Sequence, residues 1–144
     1  MASFFLFEIH TPYRLFFRGK VESIVLTLED GEIGVYANHS AFTAPAVSCV
    51  LRIKDDKGRE RHAFITEGIL EVTEVKNMLL VDAAEWPEEI DIERAKAARQ
   101  KAQEALGQTA MKFETDNFRA KLRRAENRIK AWEMNQATKK RQSC

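Results

Sequence analysis

The chain has 144 residues, of which 44% are hydrophobic and 31% are charged. This balance excludes a disordered or collagen-like chain, and the length allows one ordinary domain or two small ones. The net charge of +1 hides an asymmetry, because residues 1–87 carry a net charge of −4 and residues 88–144 carry +5. An acidic body with a basic tail indicates that the tail meets a negatively charged partner.

The N-terminal region shows no targeting segment. The apolar run Phe4–Phe7 lacks a basic segment before it and is followed at once by Glu8, so we interpret it as a first strand. The longest uncharged run, residues 33–51, contains several polar groups and is predicted not to cross a membrane. Cys49 and Cys144 have neither metal-ligand nor disulfide spacing, so we expect a reducing cytoplasmic compartment, with Cys49 in the core.

Residues 3–86 alternate apolar and polar side chains in short segments, as β-strands do. Turn signals separate them at Asp30–Gly31, at residues 55–58 with a late glycine, and at Lys76–Asn77, where we expect asparagine to tolerate a positive φ. No helical crossover is present between the segments. The pattern predicts an α+β chain that begins with an antiparallel β-sandwich or flattened barrel.

The apolar period changes at the stretch Ile90–Ala95. Pro87 disfavours helix at the residue before it, and Asp91 is predicted to cap the helix that follows. The predicted domains are therefore a β-sandwich over 1–87, a helical hairpin over 88–136 and a frayed tail over 137–144.

Each predicted helix has an apolar stripe at heptad-like spacing. Gly107 is expected to end the first helix, and residues 107–115 to connect it to the second. The first stripe is Ala95, Ala98, Ala102 and Ala105, and the second is Phe118, Leu122, Ala125, Ile129 and Trp132. These stripes predict an antiparallel hairpin of helices of about 16 and 21 residues. Because alanine buries little area, the seam is weak and the hairpin is predicted to open.

Five short motifs, in this order and spacing, resemble the epsilon subunits of bacterial F-type ATP synthases. They are residues 8–12, residues 17–24, residues 30–35 with His39 behind them, residues 68–72, and residues 84–85 before the Ile90–Ala95 stretch. The sequence departs from the family's usual pattern at Tyr36–Asn38, where a Leu-Pro-Gly-like run is common, and at residues 42–45.

The resemblance implies a non-catalytic rotor subunit of the central stalk, peripheral to the cytoplasmic face of the bacterial plasma membrane. Its sandwich would bind the gamma subunit and the c-subunit ring, with Gly31 and His39 in the docking region. It would help couple proton flow to ATP synthesis. Its C-terminal helices would inhibit ATP hydrolysis by extending toward the catalytic alpha and beta subunits, so that the hairpin acts as a two-state switch.

The resemblance also implies two sets of site residues. The residues expected to contact the catalytic subunits are Arg119, Lys121, Arg123, Arg124, Arg128 and Lys130. Those expected to bind one regulatory ATP are Glu85, Asp91, Arg94, Lys101, Arg124 and Arg128. No other cofactor is expected. The alternatives are a solvated basic helix face for the first set and, for the second, a plain helix cap at Asp91 with Arg94 as its ion-pair partner.

Other functions receive less support from the sequence. No Gly-x-x-x-x-Gly-Lys-Ser/Thr loop is present, and His10, His39 and His62 lack a nucleophile or carboxylate at a recognisable motif spacing, so we expect neither catalysis nor a metal site. An interaction scaffold that uses the basic hairpin remains an alternative. A nucleic-acid module is a weaker one, because acids interleave with bases on the second helix.

Overall fold

The computed structural model describes residues 3–109 and 111–142. The chain divides into two compact units, one ending at Glu85 and the other beginning at Trp86. Among the residues described, nine strands lie in the first unit and three helical segments in the second. In the described residues, no helix is long and apolar enough to cross a membrane.

The first unit is built entirely of strands. Their bounds are β1 Phe5–His10, β2 Leu15–Leu28, β3 Gly31–Tyr36, β4 Phe42–Ala46, β5 Cys49–Asp55, β6 Glu60–Ile65, β7 Gly68–Val72, β8 Asn77–Val81 and β9 Ala84–Glu85. The hydrogen-bonded order is β1-β8-β7-β4-β2-β5-β6-β9, with β3 on β2 and a further pairing of β1 with β2 that closes the sheet on itself. The predicted sandwich is confirmed, although β1 and β8 run parallel rather than antiparallel.

The core of the sandwich follows from alternation along the strands. Phe7, Ile24, Leu51, Phe64 and Leu79 are completely buried, and each comes from a different strand. Cys49 is also buried, as predicted. Burying these large side chains supplies most of the driving force that holds the two layers together.

Two predicted turns are confirmed, and the third also joins paired strands, β7 and β8, but without the positive φ expected at Asn77. Gly31 has φ +127° and Gly58 has φ +79°, conformations that glycine adopts without a steric cost. Asn77 instead begins β8 with its side chain buried, and its Oδ1 accepts a hydrogen bond from the amide of Thr73 at 3.2 Å. The non-glycine residue with positive φ in the described chain is Asn38, at 66°.

Strand β2 is the longest of the described strands, with 14 residues, and Gly19 lies inside it, opposite Phe7 of β1. The ring of Phe17 covers Gly19, 3.3 Å from where a Cβ would stand. Strand β4 contains Pro45, which pairs with Ile69 of β7.

The second unit begins with a 3-10 helix, Pro87–Glu89, followed by α1, Ile92–Gln108, and α2, Lys112–Gln142. Asp91 caps α1 as predicted, since its Oδ1 accepts a hydrogen bond from the Arg94 amide at 3.1 Å. Helix α2 packs against α1 and also against the 3-10 helix that precedes α1. With only three residues between them, the helices therefore run antiparallel, as predicted.

The hairpin differs from its prediction in three respects. Gly107 lies within α1, and α2 begins at Lys112, so the connection is shorter than expected and α2 is 31 residues long. Helix α2 continues to Gln142, where a frayed tail was predicted from residue 137; residues 143 and 144 lie outside the described residues. Ala98 is exposed, whereas Arg99 and Leu106 are half-buried, so the buried stripe of α1 is displaced toward Ile92, Ala95, Arg99, Ala102 and Leu106.

The buried stripes of α1 and α2 lie at matching heights along the hairpin axis. Because Gln108 and Lys112 flank the connection, residues whose numbers sum to about 220 lie at the same height. Ala95 is then level with Ala125, and both are buried, with 3% and 1% of their surfaces exposed. The seam therefore contains methyl groups on both sides at this height, and burying so little area stabilises it weakly.

Candidate functional site

One edge of the helical hairpin carries five cations. Arg94 and Lys101 lie seven residues apart on α1, each one position before a buried alanine. Arg124 and Arg128 lie four residues apart on α2, each one position before the buried Ala125 or Ile129. In an antiparallel pair of right-handed helices, positions that precede the seam on both helices project to the same side. The same edge includes Lys121, and we call Arg94, Lys101, Lys121, Arg124 and Arg128 the cationic rim.

The cationic rim also clusters along the hairpin axis. Arg94 is level with residue 126, midway between Arg124 and Arg128, and Lys101 is level with residue 119, close to Lys121. Arg124 and Arg128 are half-buried, whereas Arg94, Lys101 and Lys121 are exposed. The positions that precede the other stripe residues of α1 are Asp91, Ala98 and Ala105, so the carboxylate of Asp91 lies at the start of this edge. Five cationic side chains on one edge suit a polyanion such as a triphosphate.

The structure divides the predicted inhibitory residues between two faces of α2. Arg119, Arg123 and Lys130 are exposed and lie within about 40° of one another, on the flank of α2 away from the cationic rim. Lys121, Arg124 and Arg128 belong to the cationic rim. The sequence treated all six as one basic face, and the role of Lys121 in the rim was missed, although its spacing of three and seven from Arg124 and Arg128 indicates it.

Asp91 and Glu85, the two acids of the predicted ATP-binding set, are not part of the cationic rim as defined above. Asp91 is engaged as the cap of α1, and within the described residues no ion pair joins its carboxylate to the Arg94 guanidinium. The ion-pair half of the alternative interpretation is therefore wrong, and the cap is confirmed. Glu85 lies in β9, paired with Phe64 of β6, and so belongs to the sandwich unit.

A second candidate site is an apolar cleft on the sandwich. It has a volume of about 430 Å³, and its walls come from the β1 end, from the β6–β7 connection and from β7 and β8. Ile69 and Leu80 pair directly across β7 and β8, and 49% and 42% of their surfaces are exposed. The lining residues are His10, Thr11, Pro12, Glu67, Gly68, Ile69, Leu80, Val81 and Asp82. Exposed apolar side chains around a cleft mark an interaction surface, and this one was not predicted from the sequence.

Gly68 brings β7 unusually close to β8 at this cleft. A Cβ on Gly68 would stand 1.9 Å from the carbonyl oxygen of Leu80, which excludes any side chain. The glycine therefore shapes the cleft, and the requirement comes from close backbone approach rather than from an unusual φ.

The carboxylate of Glu8 is buried beside this cleft. Only 4% of the Glu8 surface is exposed. Its Oε1 lies 2.7 Å from Nε2 of His10 and 3.7 Å from Nζ of Lys76, and its Oε2 accepts a hydrogen bond from Nε of Arg18 at 2.9 Å. The hydrogen bond with His10 and the adjacent cations lower the pKa of Glu8, although burial opposes them. The cluster ties β1, β2 and the start of β8 together beside the cleft.

The predicted docking residues lie at different places on β3. Gly31 begins β3 at a tight turn, whereas His39 follows its far end, so most of a six-residue strand separates them. Nδ1 of His39 lies 2.8 Å from the carbonyl oxygen of Ser40, and its ring lies 5.1 Å from that of Phe42. Asn38, before His39, adopts the left-handed conformation and so replaces the glycine that the family commonly has near this position.

Comparison with known proteins identifies both units. Residues 5–87 match the family model described as "ATP synthase, Delta/Epsilon chain, beta-sandwich domain", and residues 88–133 match "ATP synthase, Delta/Epsilon chain, long alpha-helix domain". The "ATP synthase epsilon chain" of Caldicellulosiruptor bescii is 47% identical over 135 residues, covering 94% of this chain and 97% of the relative. That of Caldanaerobacter subterraneus subsp. tengcongensis is 44% identical over 131 residues, covering 90% and 94%.

Solved structures share the fold at low sequence identity. A chain in the mitochondrial ATP synthase of Euglena gracilis, described as "OSCP/F1/c-ring in rotational state 1", aligns with a TM-score of 0.77 at 19% identity, over 88% of this chain and 80% of that one. A chain in the "central stalk/cring" of the Tetrahymena thermophila enzyme gives 0.62 at 14% identity, over 91% and 98%.

These matches cover the sandwich and the hairpin together, in the order in which the structure places them. They do not favour the scaffold or nucleic-acid alternatives. The relatives are named as the epsilon chain of an ATP synthase. The chain therefore belongs to the family of ATP synthase epsilon chains.

Proposed function

We propose that this chain is a central-stalk rotor subunit of a bacterial F-type ATP synthase, which helps couple proton flow to ATP synthesis and restrains ATP hydrolysis. The observation that carries the proposal is the joining of a sandwich with an exposed apolar cleft to a hairpin with a weak seam. The sandwich serves as the fixed docking piece, and the hairpin serves as the regulatory one. The chain is non-catalytic and peripheral to the cytoplasmic face of the plasma membrane through its complex.

The sandwich docks on the gamma subunit through the cleft around Ile69 and Leu80 and on the c-subunit ring through the β3 loops that hold Gly31 and His39. Two observations support the first contact. The cleft exposes paired apolar side chains, and the Glu8 cluster fixes the strands beside it. A rigid, apolar surface is suited to a contact that must transmit torque, because little ordering of side chains is needed on binding.

Substitution in the cleft tests this docking. Ile69→Asp or Leu80→Asp places a charge in the contact, whereas Val75→Asp is a matched control in a turn outside the cleft, at a residue that is 85% exposed. We expect either cleft variant to lose co-purification with gamma while the control retains it. Equal retention by all three variants, with the fold intact by circular dichroism, would refute docking through the cleft.

The hairpin restrains hydrolysis by opening. Only Ala95 and Ala102 are fully buried on α1, so separating the helices exposes little apolar surface. Once α2 is released, Arg119, Lys121, Arg123, Arg124, Arg128 and Lys130 contact acidic segments of the alpha and beta subunits. The closed and open arrangements then form the two states of a switch that a ligand or partner biases.

ATP binds the cationic rim and favours the closed hairpin. Arg94 and Lys101 on α1 and Arg124 and Arg128 on α2 hold the triphosphate, and Lys121 adds a further cation at the height of Lys101. A polyanion that bridges the two helices binds only when they are together, so it stabilises closure by mass action. The carboxylates of Glu85 and Asp91 contribute nothing to phosphate binding, because both are negative; Asp91 serves by fixing the start of α1.

Charge reversal on α2 tests the restraint. Arg123→Glu, Arg124→Glu and Arg128→Glu together replace three attractions to acidic segments with repulsions, so reconstituted complexes should hydrolyse ATP faster than with the parent chain. Unchanged inhibition by the triple variant, at equal occupancy in the complex, would contradict the proposed contact.

A further inference from the structure

Helix α2 extends well beyond the first residue of α1. Helix α1 has 17 residues and α2 has 31, so at 1.5 Å per residue α2 is longer by about 20 Å. The antiparallel register places the first residue of α1, Ile92, level with Arg128. From that height onward, α1 offers no surface to α2.

Beyond the first residue of α1, the surface next to α2 is supplied by the 3-10 helix. The 3-10 helix packs against α2, and because it directly precedes α1, whose first residue lies near the height of Arg128, it meets the part of α2 that follows Arg128. Ala131 has none of its surface exposed, and Pro87 and Ile90 are also buried. A fully buried alanine at this height is suited to close approach of a neighbouring backbone, because its side chain is only a methyl group.

Hydrogen bonds within residues 86–90 hold the 3-10 helix in place. The amide of Trp86 donates to Oε1 of Glu89 at 2.9 Å, and the amide of Glu89 donates to the carbonyl oxygen of Trp86 at 2.9 Å. The amide of Ile90 donates to the carbonyl oxygen of Pro87 at 3.2 Å. These bonds, with the fixed φ of Pro87, make residues 86–90 a small rigid block rather than a flexible linker.

We propose that this block and the α2 segment around Ala131 form a clasp that latches the hairpin in its closed state. Opening the hairpin requires release of the clasp as well as of the alanine seam, so the clasp sets how readily α2 leaves α1. The inference goes beyond the proposed function by locating the latch, and it holds whether or not the hairpin binds ATP or restrains hydrolysis.

Thiol labelling of the full chain measures opening directly. Ala102→Cys places a thiol in the seam of α1, where only 4% of the residue is exposed, and Cys144→Ser removes the C-terminal thiol. When closing is faster than labelling, the labelling rate is proportional to the opening equilibrium. Cys49, buried in the sandwich, remains as an internal monitor of global unfolding.

Ala131→Leu overfills the clasp, and Ala137→Leu is the matched control, because Ala137 is exposed on the same half of α2. We expect Ala131→Leu to accelerate labelling of the seam thiol roughly 5- to 100-fold, the range that overpacking of this size produces. Labelling at Cys49 should not change, and Ala137→Leu should remain within about twofold of the parent.

A second pair tests the clasp from its other side, without altering α2. Glu89→Ala removes the side-chain acceptor of the Trp86 amide, whereas Glu88→Ala removes a neighbouring exposed carboxylate of the same 3-10 helix. We expect Glu89→Ala to accelerate seam labelling at least about 2-fold, since it removes at least one hydrogen bond, and Glu88→Ala to leave it unchanged. If Ala131→Leu matches Ala137→Leu and Glu89→Ala matches Glu88→Ala, the clasp is overturned. If Ala131→Leu also accelerates labelling at Cys49, that variant has unfolded more than the hairpin. The comparison of Glu89→Ala with Glu88→Ala then decides whether the clasp exists.

Discussion

The cationic rim makes a quantitative prediction for ATP binding. The double variant Arg124→Gln and Arg128→Gln removes two half-buried guanidinium groups from the rim. The matched control, Arg123→Gln and Lys130→Gln, removes the same charge from the same helix at exposed positions on its outer face. The two variants differ in which edge of α2 loses charge, and not in net charge.

The expected magnitude follows from the geometry. A hydrogen bond to a charged group contributes about 1.5–3 kcal/mol, and the partial exposure of Arg124 and Arg128 favours the lower end. At about 1.4 kcal/mol per tenfold change, each arginine is expected to weaken ATP binding about tenfold, and the pair roughly 100-fold. The control loses only long-range attraction, which salt screens, so its affinity should change about twofold or less at physiological ionic strength.

Isothermal titration of the full chain with ATP measures both variants, and far-UV circular dichroism confirms that their helices remain intact. The reasoning predicts that affinity depends on which edge is changed. Equal weakening by the rim and outer-face variants would show that only net charge matters, and the rim would then not be the site.

Three further changes test the account of the fold. Gly68→Ala should lower the free energy of unfolding by at least about 3 kcal/mol, because its Cβ would collide with the Leu80 carbonyl. Gly107→Ala should raise the unfolding free energy by about 0.5–1 kcal/mol, because that glycine lies in a helix with open space around it; thermal unfolding compares the two. Glu8 has a lowered pKa, so its stabilisation is present above the ordinary value of 4.5 and is lost as pH falls through the folded value. Glu8→Gln should therefore destabilise the chain in urea at pH 7 and have little effect near pH 3; an equal cost at both would contradict the charge-based explanation.

The features predictable from sequence were those that local chemistry dictates. Alternating apolar residues predicted the sandwich, and Gly31 and Gly58 were placed correctly because only glycine adopts their φ at no steric cost. The cap at Asp91 was predictable for a similar reason, since a short acceptor side chain at a helix start satisfies a free amide.

The features that failed depend on contacts between segments distant in sequence. Asn77 satisfies the Thr73 amide from within β8, which no turn propensity indicates. Ala98 was predicted to lie in the seam, but the structure exposes Ala98 and half-buries Arg99 instead. Both possible stripes of α1 contain alanines, so only packing against α2 selects between them. The parallel pairing of β1 with β8, the cleft beside Ile69 and the continuation of α2 to Gln142 likewise follow from tertiary packing, which overrides local signals.

The central claim is that the hairpin regulates hydrolysis while the sandwich docks. The most direct test is ATP hydrolysis by the host's catalytic complex, depleted of this subunit and reconstituted with the full chain or with a version ending at Glu89. Binding of each to the complex is confirmed in parallel. The account predicts that both bind and that only the full chain suppresses hydrolysis. Equal suppression by both, or suppression by neither although both bind, would contradict a regulatory role for the hairpin.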